Sequence, residues 1–142
     1  MEIKLKFHDA ELAAMGLERH GAWIDLRAAE DVQMDEGDFK IISLGVSMKI
    51  PKGYEAWLAP RSSTYKNFGY IQTNGVGVIE DDYCGEEDIW GVPALAMRST
   101  HIHKGDRIAQ FRIINQMEPV EIVTVSQMED ESRGGFGSTG VK

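Results

Sequence analysis

Cysteine is nearly absent from the sequence, since Cys84 is the only one among 142 residues. A single thiol excludes a disulfide bond within the chain, and no group of His and Cys residues has the spacing of a zinc site. Proteins without disulfides are typical of reducing compartments. We therefore expect an intracellular protein, with the cytoplasm as its simplest location.

Long apolar runs are also missing. No uncharged apolar stretch approaches the ~20 residues that a helix needs to cross a bilayer. Residues 1–6 alternate charged and apolar side chains, whereas a secretion signal needs an unbroken apolar stretch. The sequence therefore predicts neither secretion nor membrane anchoring.

Positive charge is scarce. Fifteen Lys and Arg residues stand against 23 Asp and Glu residues, for a net charge of −8. A chain of this sign repels a nucleic-acid backbone, so we expect no direct role in coating DNA or RNA. An anionic small molecule remains compatible, because local basic groups can oppose the overall charge. The length suits one domain with a sizeable core.

What the sequence does contain is a two-residue alternation of apolar and polar side chains. The alternation is clearest in residues 3–7 and 42–50, and residues 107–114 and 120–125 are rich in Ile, Val and Phe. These four segments predict strands. Short turn sequences separate them at fairly regular spacing, which favours an all-β sandwich or barrel.

Helical segments are few. Residues 9–17 and 62–68 are the two candidates, each with room for one or two turns. In the second, we expect the hydroxyl of Ser62 or Ser63 to cap free backbone N–H groups of the first turn.

Five short segments carry residue types suited to chemistry. In the first, residues 21–28, Asp25 stands within an apolar, strand-like run. It is either a buried structural carboxylate or an anchor for a hydrated divalent cation, since Mg²⁺ keeps most of its waters and takes few carboxylates. In the second, residues 59–69, an Arg and two hydroxyls at a helix start suit a phosphate, although ordinary serine capping also explains them.

The third segment, residues 74–86, ends an apolar run in three acids, a tyrosine and a glycine. It is either a solvated acidic turn or a hairpin pocket, in which backbone groups read a base edge, Asn74 adds a side-chain amide, Tyr83 offers a flat face and a carboxylate acts as general base. The fourth, residues 105–110, is by itself a structural turn. The fifth, residues 133–140, is either a frayed terminus or a glycine-rich segment whose Arg and Phe suit an anion and a flat ring.

In this order, the five segments resemble the motifs of the homotrimeric dUTPase family, from about residue 21 to residue 140. The resemblance implies an all-β, jelly-roll-like fold with one short helix, a core over residues 1–126 and a flexible C-terminal arm over residues 127–142. It implies hydrolysis of dUTP to dUMP and pyrophosphate by Mg²⁺-dependent attack of water on the α-phosphate, which keeps uracil out of DNA and supplies dUMP for dTMP synthesis. Three chains would form a homotrimer with shared active sites.

The resemblance also implies roles for single residues of the core. Asp25 would hold the magnesium ion through water, and Tyr83 would pack under the deoxyribose and exclude a 2′-hydroxyl. Glu80 and Arg61 would be catalytic, the first as the base for water and the second as a positive charge on the phosphates. The residues expected to contact phosphates are Arg61, Ser62, Ser63 and Gln110, and those expected to bind the uracil edge are Asn74, Val78 and Ile79.

The C-terminal arm, by the same resemblance, would close over the bound nucleotide. Its phenylalanine would cap the uracil, since an apolar slot under an aromatic lid excludes water. Trp90 is another candidate for the aromatic cover, and a core tryptophan is the other interpretation of that residue. The arm residues expected to contact the nucleotide, chiefly its γ-phosphate, are Arg133, Phe136, Gly137, Ser138 and Thr139.

Two positions depart from the family pattern. The water-activating residue of the family is Asp, whereas this chain has Glu80. Its extra methylene moves the carboxylate by roughly 1 Å, and a shift of that size can cost ~100-fold in rate. The neighbouring carboxylates of Asp81 and Asp82 lie off the matching position. The arm is also two residues shorter than usual between Arg133 and Phe136, which affects the phosphate contact of Arg133.

Two other functions fit the same fold. One is a nucleotide-binding regulatory protein with weak or no turnover, because Glu80 replaces the usual Asp, and with a protein partner as attributed to some phage members of the family. The other is a dCTP deaminase. The uracil-type third segment and the Phe-Gly-Ser-Thr tail favour a dUTPase over a deaminase.

Overall fold

Twelve short strands and two helices make up the computed structural model, which describes all 142 residues. The predicted all-β class is confirmed, and both helix candidates form, so there are two short helices rather than one. No helix has the length and apolar character needed to cross a membrane. The elements are β1 Lys4–Phe7, α1 Ala10–Met15, β2 Glu18–His20, β3 Trp23–Arg27, β4 Val32–Met34, β5 Phe39–Ser43, β6 Val46–Lys49, β7 Tyr54–Ala59, α2 Thr64–Phe68, β8 Tyr70–Gln72, β9 Gly77–Glu80, β10 Gly91–Ala96, β11 Thr100–Ile102 and β12 Arg107–Asn115.

The largest sheet has the strand order β2-β3-β12-β7-β9, and all of its pairings are antiparallel. A three-stranded sheet, β5-β10-β8, and two strand pairs, β1-β6 and β11-β4, complete the jelly-roll-like body. One cluster of buried apolar side chains fills the space between them. At its centre the Trp90 and Phe111 rings meet edge to face, 5.2 Å apart. Trp90 is therefore a core residue and not an exposed lid.

The predicted strand over residues 42–50 is broken into β5 and β6. Its alternating apolar side chains are all buried, as the pattern predicts. The break comes at Gly45, which has φ +64°, and a Cβ there would lie 2.8 Å from Leu12 and 2.9 Å from Ala29. Only glycine fits this left-handed, crowded position, so the chain turns there and passes from one sheet to the other.

The serine cap predicted for α2 is wrong. Ser63 occupies the cap position, but its side chain makes no capping hydrogen bond. Instead the Thr64 hydroxyl accepts from Arg61 N at 2.8 Å and donates to Ile108 O at 3.1 Å. Because threonine ties the start of α2 to β12, neither Ser62 nor Ser63 is needed as a cap.

The strand predicted over residues 120–125 is absent, and no helix or strand follows Asn115. The side chains of Val120, Ile122, Val123 and Val125 are exposed. A strand needs a neighbour to satisfy its backbone groups, and none in this chain pairs with the segment. The strand that the apolar composition of this segment predicted is therefore wrong for this chain.

Candidate active site

An apolar pocket of about 310 Å³ opens beside β9. It brings together the four residues that the sequence predicted for base and sugar binding. Beneath them the wall is apolar, with Trp90 among its residues. The predicted residues that line the pocket are Asn74, Val78, Ile79 and Tyr83.

A buried amide network lies at one end of the apolar pocket. Gln72, which is only 4 % exposed, donates from Nε2 to Leu58 O at 2.9 Å, to Asn74 Oδ1 at 3.0 Å and to Gly75 O at 3.3 Å. Sequence reasoning missed Gln72. Its signal was a polar residue two positions before Asn74, on the buried face of a strand.

Glu80 ends β9 directly after the pocket residue Ile79, and it does not itself line the pocket. A backbone hydrogen bond from Tyr83 N to Glu80 O, 3.2 Å long, closes a tight turn after it. No hydrogen bond or ion pair engages the Glu80 carboxylate, whereas Asp81 Oδ2 accepts from Gly53 N at 2.9 Å. The cross-strand neighbour, Glu55, is held by Trp57 Nε1 at 2.7 Å. Among these carboxylates Glu80 is thus an unengaged one that can accept a proton from water.

Five charged or titratable side chains, Glu18, His20, Asp25, Arg61 and Arg107, form a second region that we call the charged cluster. Asp25, 2 % exposed, is at its centre. Its Oδ2 lies 3.1 Å from Arg61 Nε, 3.2 Å from Arg107 Nη1 and 3.5 Å from His20 Nε2. A buried carboxylate requires such pairing.

Glu18 covers the open side of the charged cluster. Its Oε2 lies 2.7 Å from Arg107 Nη1, and its Oε1 lies 3.1 Å from Arg27 Nη2. The nearby Arg107 charge holds the pKa of Glu18 below its ordinary value. Glu18 and His20 were not predicted as site residues, because nothing in their local sequence marks them and only the sheet register brings them to Asp25. Arg107 was also missed, although it lies in the fourth segment.

Gln110 joins the charged cluster to the second segment. Strand register places Gln110 between Asp25 on β3 and Ala59 on β7, and its Nε2 donates to Pro60 O at 3.0 Å. Arg61 Nη1 donates to Arg107 O at 3.1 Å. Three predicted phosphate and cation residues, Asp25, Arg61 and Gln110, are therefore neighbours, and Ser62 adjoins them in the chain.

Asp25 and its neighbours are also the residues to consider for binding a metal ion. No group of three or more His, Cys, Asp or Glu side chains is arranged to hold one. The ion pairs of Asp25 all end on Oδ2, so Oδ1 is outside them. This chemistry fits a cation that keeps its waters and is bound mainly by substrate phosphates, with Asp25 accepting from one of the waters.

The C-terminal arm lies apart from both regions. Phe136 is fully exposed, and the hydrogen bonds of the arm, Ser138 N to Gly135 O and Gly140 N to Gly137 O, join its own backbone. The structure does not bring Arg133, Phe136, Gly137, Ser138 or Thr139 to the pocket. Closure of the arm over a nucleotide stays a prediction.

Comparison with known proteins adds relatives in sequence. The family model described as dUTPase matches residues 17–140. The SPbeta prophage-derived deoxyuridine 5'-triphosphate nucleotidohydrolase YosS of Bacillus subtilis (strain 168) is 52% identical over 142 residues, which cover 100% of both chains. The deoxyuridine 5'-triphosphate nucleotidohydrolase of Streptomyces avermitilis is 32% identical over 143 residues, covering 99% of this chain and 81% of the relative.

Solved structures show the same fold. The Staphylococcus bacteriophage 80alpha dUTPase with dUpNHpp has a TM-score of 0.78 at 23% identity, and 99% of each chain is covered. A dUTPase mutant from phage phi11 of S. aureus, described for its structural Mg(II) ion, has a TM-score of 0.75 at 19% identity, covering 92% of this chain and 100% of that one.

Proposed function

The chain belongs to the dUTPase family, and on that premise we propose that it hydrolyses dUTP to dUMP and pyrophosphate. The observation that carries the proposal is the apolar pocket, where Asn74, the β9 backbone and Tyr83 converge on a space suited to a flat base. The relatives are named as nucleotidohydrolases. Those names favour hydrolysis over the regulatory function and over deamination.

The pocket places a nucleoside by shape and polarity. Val78 and Ile79 supply backbone groups and apolar surface for the uracil, and Asn74 supplies a side-chain amide. Tyr83, half-exposed, donates its hydroxyl to Ile89 O at 3.4 Å, so its ring is held at the rim where the deoxyribose would pack. Packing of the sugar against this ring, with a 2′-hydroxyl excluded, is the proposed basis of a preference for deoxyribonucleotides.

Glu80 is the proposed base. It lies one residue after Ile79 and four before Cys84, at the rim where the α-phosphate of a bound nucleotide would leave the pocket. Water attacks the α-phosphorus, its proton passes to the Glu80 carboxylate, and the bond from the α-phosphorus to the bridging oxygen breaks to release pyrophosphate. Because no side chain engages Glu80, its extra methylene can be accommodated by a rotamer change.

The charged cluster and the arm supply positive charge and hydrogen-bond donors for the triphosphate. Arg61 and the hydroxyls of Ser62 and Ser63 suit phosphate oxygens, and Gln110 suits the α-phosphate region. A magnesium ion, held through water by Asp25, would neutralise phosphate charge when bound. The proposed arm contacts are Phe136 on the uracil ring and Arg133, Gly137, Ser138 and Thr139 on the γ-phosphate.

We also propose that active sites are shared between chains of a homotrimer. Asp25, Gln110 and Ala59 lie side by side across β3, β12 and β7. Glu80 lies on β9 opposite Glu55 of β7. β9 is one strand beyond β7, and Glu55 is four residues along β7 from Ala59. Three strand spacings of ~4.8 Å and four residues of ~3.3 Å put the α-carbons of Asp25 and Glu80 roughly 19 Å apart. That span favours a pocket and a charged cluster from different chains at each site.

The exposed apolar segment 120–125 supports the same assembly, since it leaves the body of one chain and would be covered by another. dUTP is the proposed ligand. We further propose a cytoplasmic location, in which the exposed thiol of Cys84 would remain reduced, and no direct contact with nucleic acid at a net charge of −8.

Pyrophosphate release with Mg²⁺ from dUTP, dCTP, dTTP and UTP tests the proposal. We expect fast release from dUTP and little from the other three. Hydrolysis in ¹⁸O-labelled water should place the label in dUMP, because water attacks the α-phosphorus. Tight dUTP binding without release would contradict the proposed hydrolysis and return the regulatory function to consideration.

A further inference from the structure

We propose that Gln72 is the positioning residue for base selection: it fixes the side-chain amide of Asn74 so that Nδ2 faces the apolar pocket as a hydrogen-bond donor. The inference rests on the proposed function, because it concerns how a dUTP-specific site rejects dCTP. It assigns a role to a buried side chain that does not line the pocket itself.

The orientation of Gln72 is fixed independently of Asn74. Its Nε2 lies 2.9 Å from Leu58 O and 3.3 Å from Gly75 O. Both are backbone carbonyl oxygens, which only accept hydrogen bonds, so the atom facing them must be the NH₂ group. A flipped Gln72 would place its own oxygen against two oxygens.

The orientation of Asn74 follows from that of Gln72. The Asn74 atom that lies 3.0 Å from Gln72 Nε2 must be an acceptor, and it is therefore Oδ1. The other atom of the amide, Nδ2, lies 3.3 Å from the position that a Cβ on Gly77 would take. Gly77 and Asn74 both line the apolar pocket, so Nδ2 is at the pocket wall, and the absence of a side chain at Gly77 leaves it room.

A fixed donor distinguishes uracil from cytosine. Uracil carries a carbonyl oxygen where cytosine carries an amino group, so a donor at that edge binds the first and faces another donor in the second. An Asn74 amide that is free to flip would turn Oδ1 towards cytosine and accept a hydrogen bond from its amino group. Rejection of a base by a polar group left unpaired is strong only when that group cannot reorient.

Gln72 carries a cost in the core, although its NH₂ group also satisfies the carbonyls of Leu58 and Gly75. Its Oε1 is buried and has no hydrogen-bond partner, and an unpaired buried acceptor destabilises a fold. Leu or Met would fill a similar volume without that cost. The retained NH₂ group is the part that reaches Asn74.

The test compares kcat/KM for dUTP and dCTP in the unaltered protein, Gln72→Leu and Gln72→Met. Tyr70→Phe is the matched control, because it removes a buried side-chain hydrogen bond from the same strand, Tyr70 Oη to Ile108 O at 2.6 Å, without touching Asn74. We expect both Gln72 variants to lose roughly 10- to 100-fold of the dUTP preference. Their unfolding midpoint should fall, as it should in Tyr70→Phe, because Leu58 O and Gly75 O lose a donor. Tyr70→Phe should keep the preference.

A dUTP preference that survives in either folded Gln72 variant within about two-fold overturns the inference, as does an equal loss in Tyr70→Phe. Should Gln72→Leu fail to fold, Gln72→Met decides by the same criteria. An unaltered protein that releases no pyrophosphate from dUTP would instead contradict the proposed function, and the inference would fall with it.

Discussion

The apolar pocket and the charged cluster share one five-stranded sheet, yet their polar groups are satisfied in different ways. In the pocket, the Asn74 amide is held from behind by Gln72, and its donor is left for a ligand. In the charged cluster, Asp25 is already paired with Arg61 and Arg107. In the proposed function, the pocket would bind a neutral base with its donor already free, whereas the cluster would exchange internal ion pairs for phosphate oxygens.

Because of this difference, we expect substitutions in the two regions to have different effects on the reaction and on the stability of the fold. Changes at the pocket rim should alter the reaction and leave folding nearly unchanged, because the reacting groups have few partners within the protein. Changes in the charged cluster should alter both, because each charge there stabilises another. The following predictions test that separation, from the largest expected effect to the smallest.

Glu80→Gln should lower kcat by roughly 100- to 10,000-fold, because it removes the proposed base. The unfolding midpoint should stay within experimental error, since no side chain engages the Glu80 carboxylate. Glu80→Asp is the control and should preserve or raise turnover. Lower turnover in Glu80→Asp would show that the site is built around the longer side chain. Full activity in Glu80→Gln would show that Glu80 is not the base.

Deletion of residues 133–142 should reduce kcat/KM for dUTP by about 100- to 1,000-fold, through loss of the arm's donors and its aromatic cover. The circular dichroism spectrum and the oligomeric state should be unchanged, because the arm makes no hydrogen bond to the body. A truncated protein that is unfolded would refute the proposal that the arm acts only as a lid over the nucleotide.

Asp25→Asn should lower the free energy of unfolding by ~3 kcal/mol, since it leaves Arg61 and Arg107 without their buried partner. Urea titration measures this change. Asn74→Ala is the comparison from the pocket, and it should cost less than ~1 kcal/mol because Gln72 keeps its two carbonyl partners. Equal losses in the two variants would remove the distinction between the regions.

The charged cluster should also respond to pH. The Arg107 charge holds the pKa of Glu18 below its ordinary value. The stability that Glu18 adds is therefore present above its pKa in the unfolded chain and is lost as the pH falls through its lower pKa in the folded protein. The difference in urea midpoint between the unaltered protein and Glu18→Gln should therefore shrink on acidification from pH 7. A difference that does not depend on pH would place the stabilisation outside this ion pair.

Much of the fold could be predicted from local sequence. Two-residue alternation predicted β1 and the burial of Ile42, Leu44 and Val46, and β12 was predicted from its Ile and Phe content. The break at Gly45 could not be predicted, because it depends on the approach of Leu12 and Ala29 from distant segments.

The site was predictable where its residues are close in sequence. Asn74, Val78, Ile79 and Tyr83 fall within ten residues of the chain, so a local motif predicts the pocket that they line. The predicted hairpin itself is wrong, because β9 pairs with β7 and β8 pairs with β10. Glu18 and His20 reach Asp25 only through the pairing of β2 with β3. The strand predicted over residues 120–125 does not form, because no strand of this chain pairs with the segment.

Subunit mixing tests the shared site most directly. Glu80→Gln removes the base at the pocket, and Arg61→Gln weakens the charged cluster while leaving Arg107 and His20 beside Asp25. If each site takes its pocket from one chain and its cluster from another, a site is intact when its pocket comes from an Arg61→Gln chain and its cluster from a Glu80→Gln chain. About a quarter of the sites in an equal mixture refolded together should meet this condition. The mixture should therefore recover activity that neither variant shows alone. A mixture as inactive as its components would contradict shared sites and place the whole reaction on one chain.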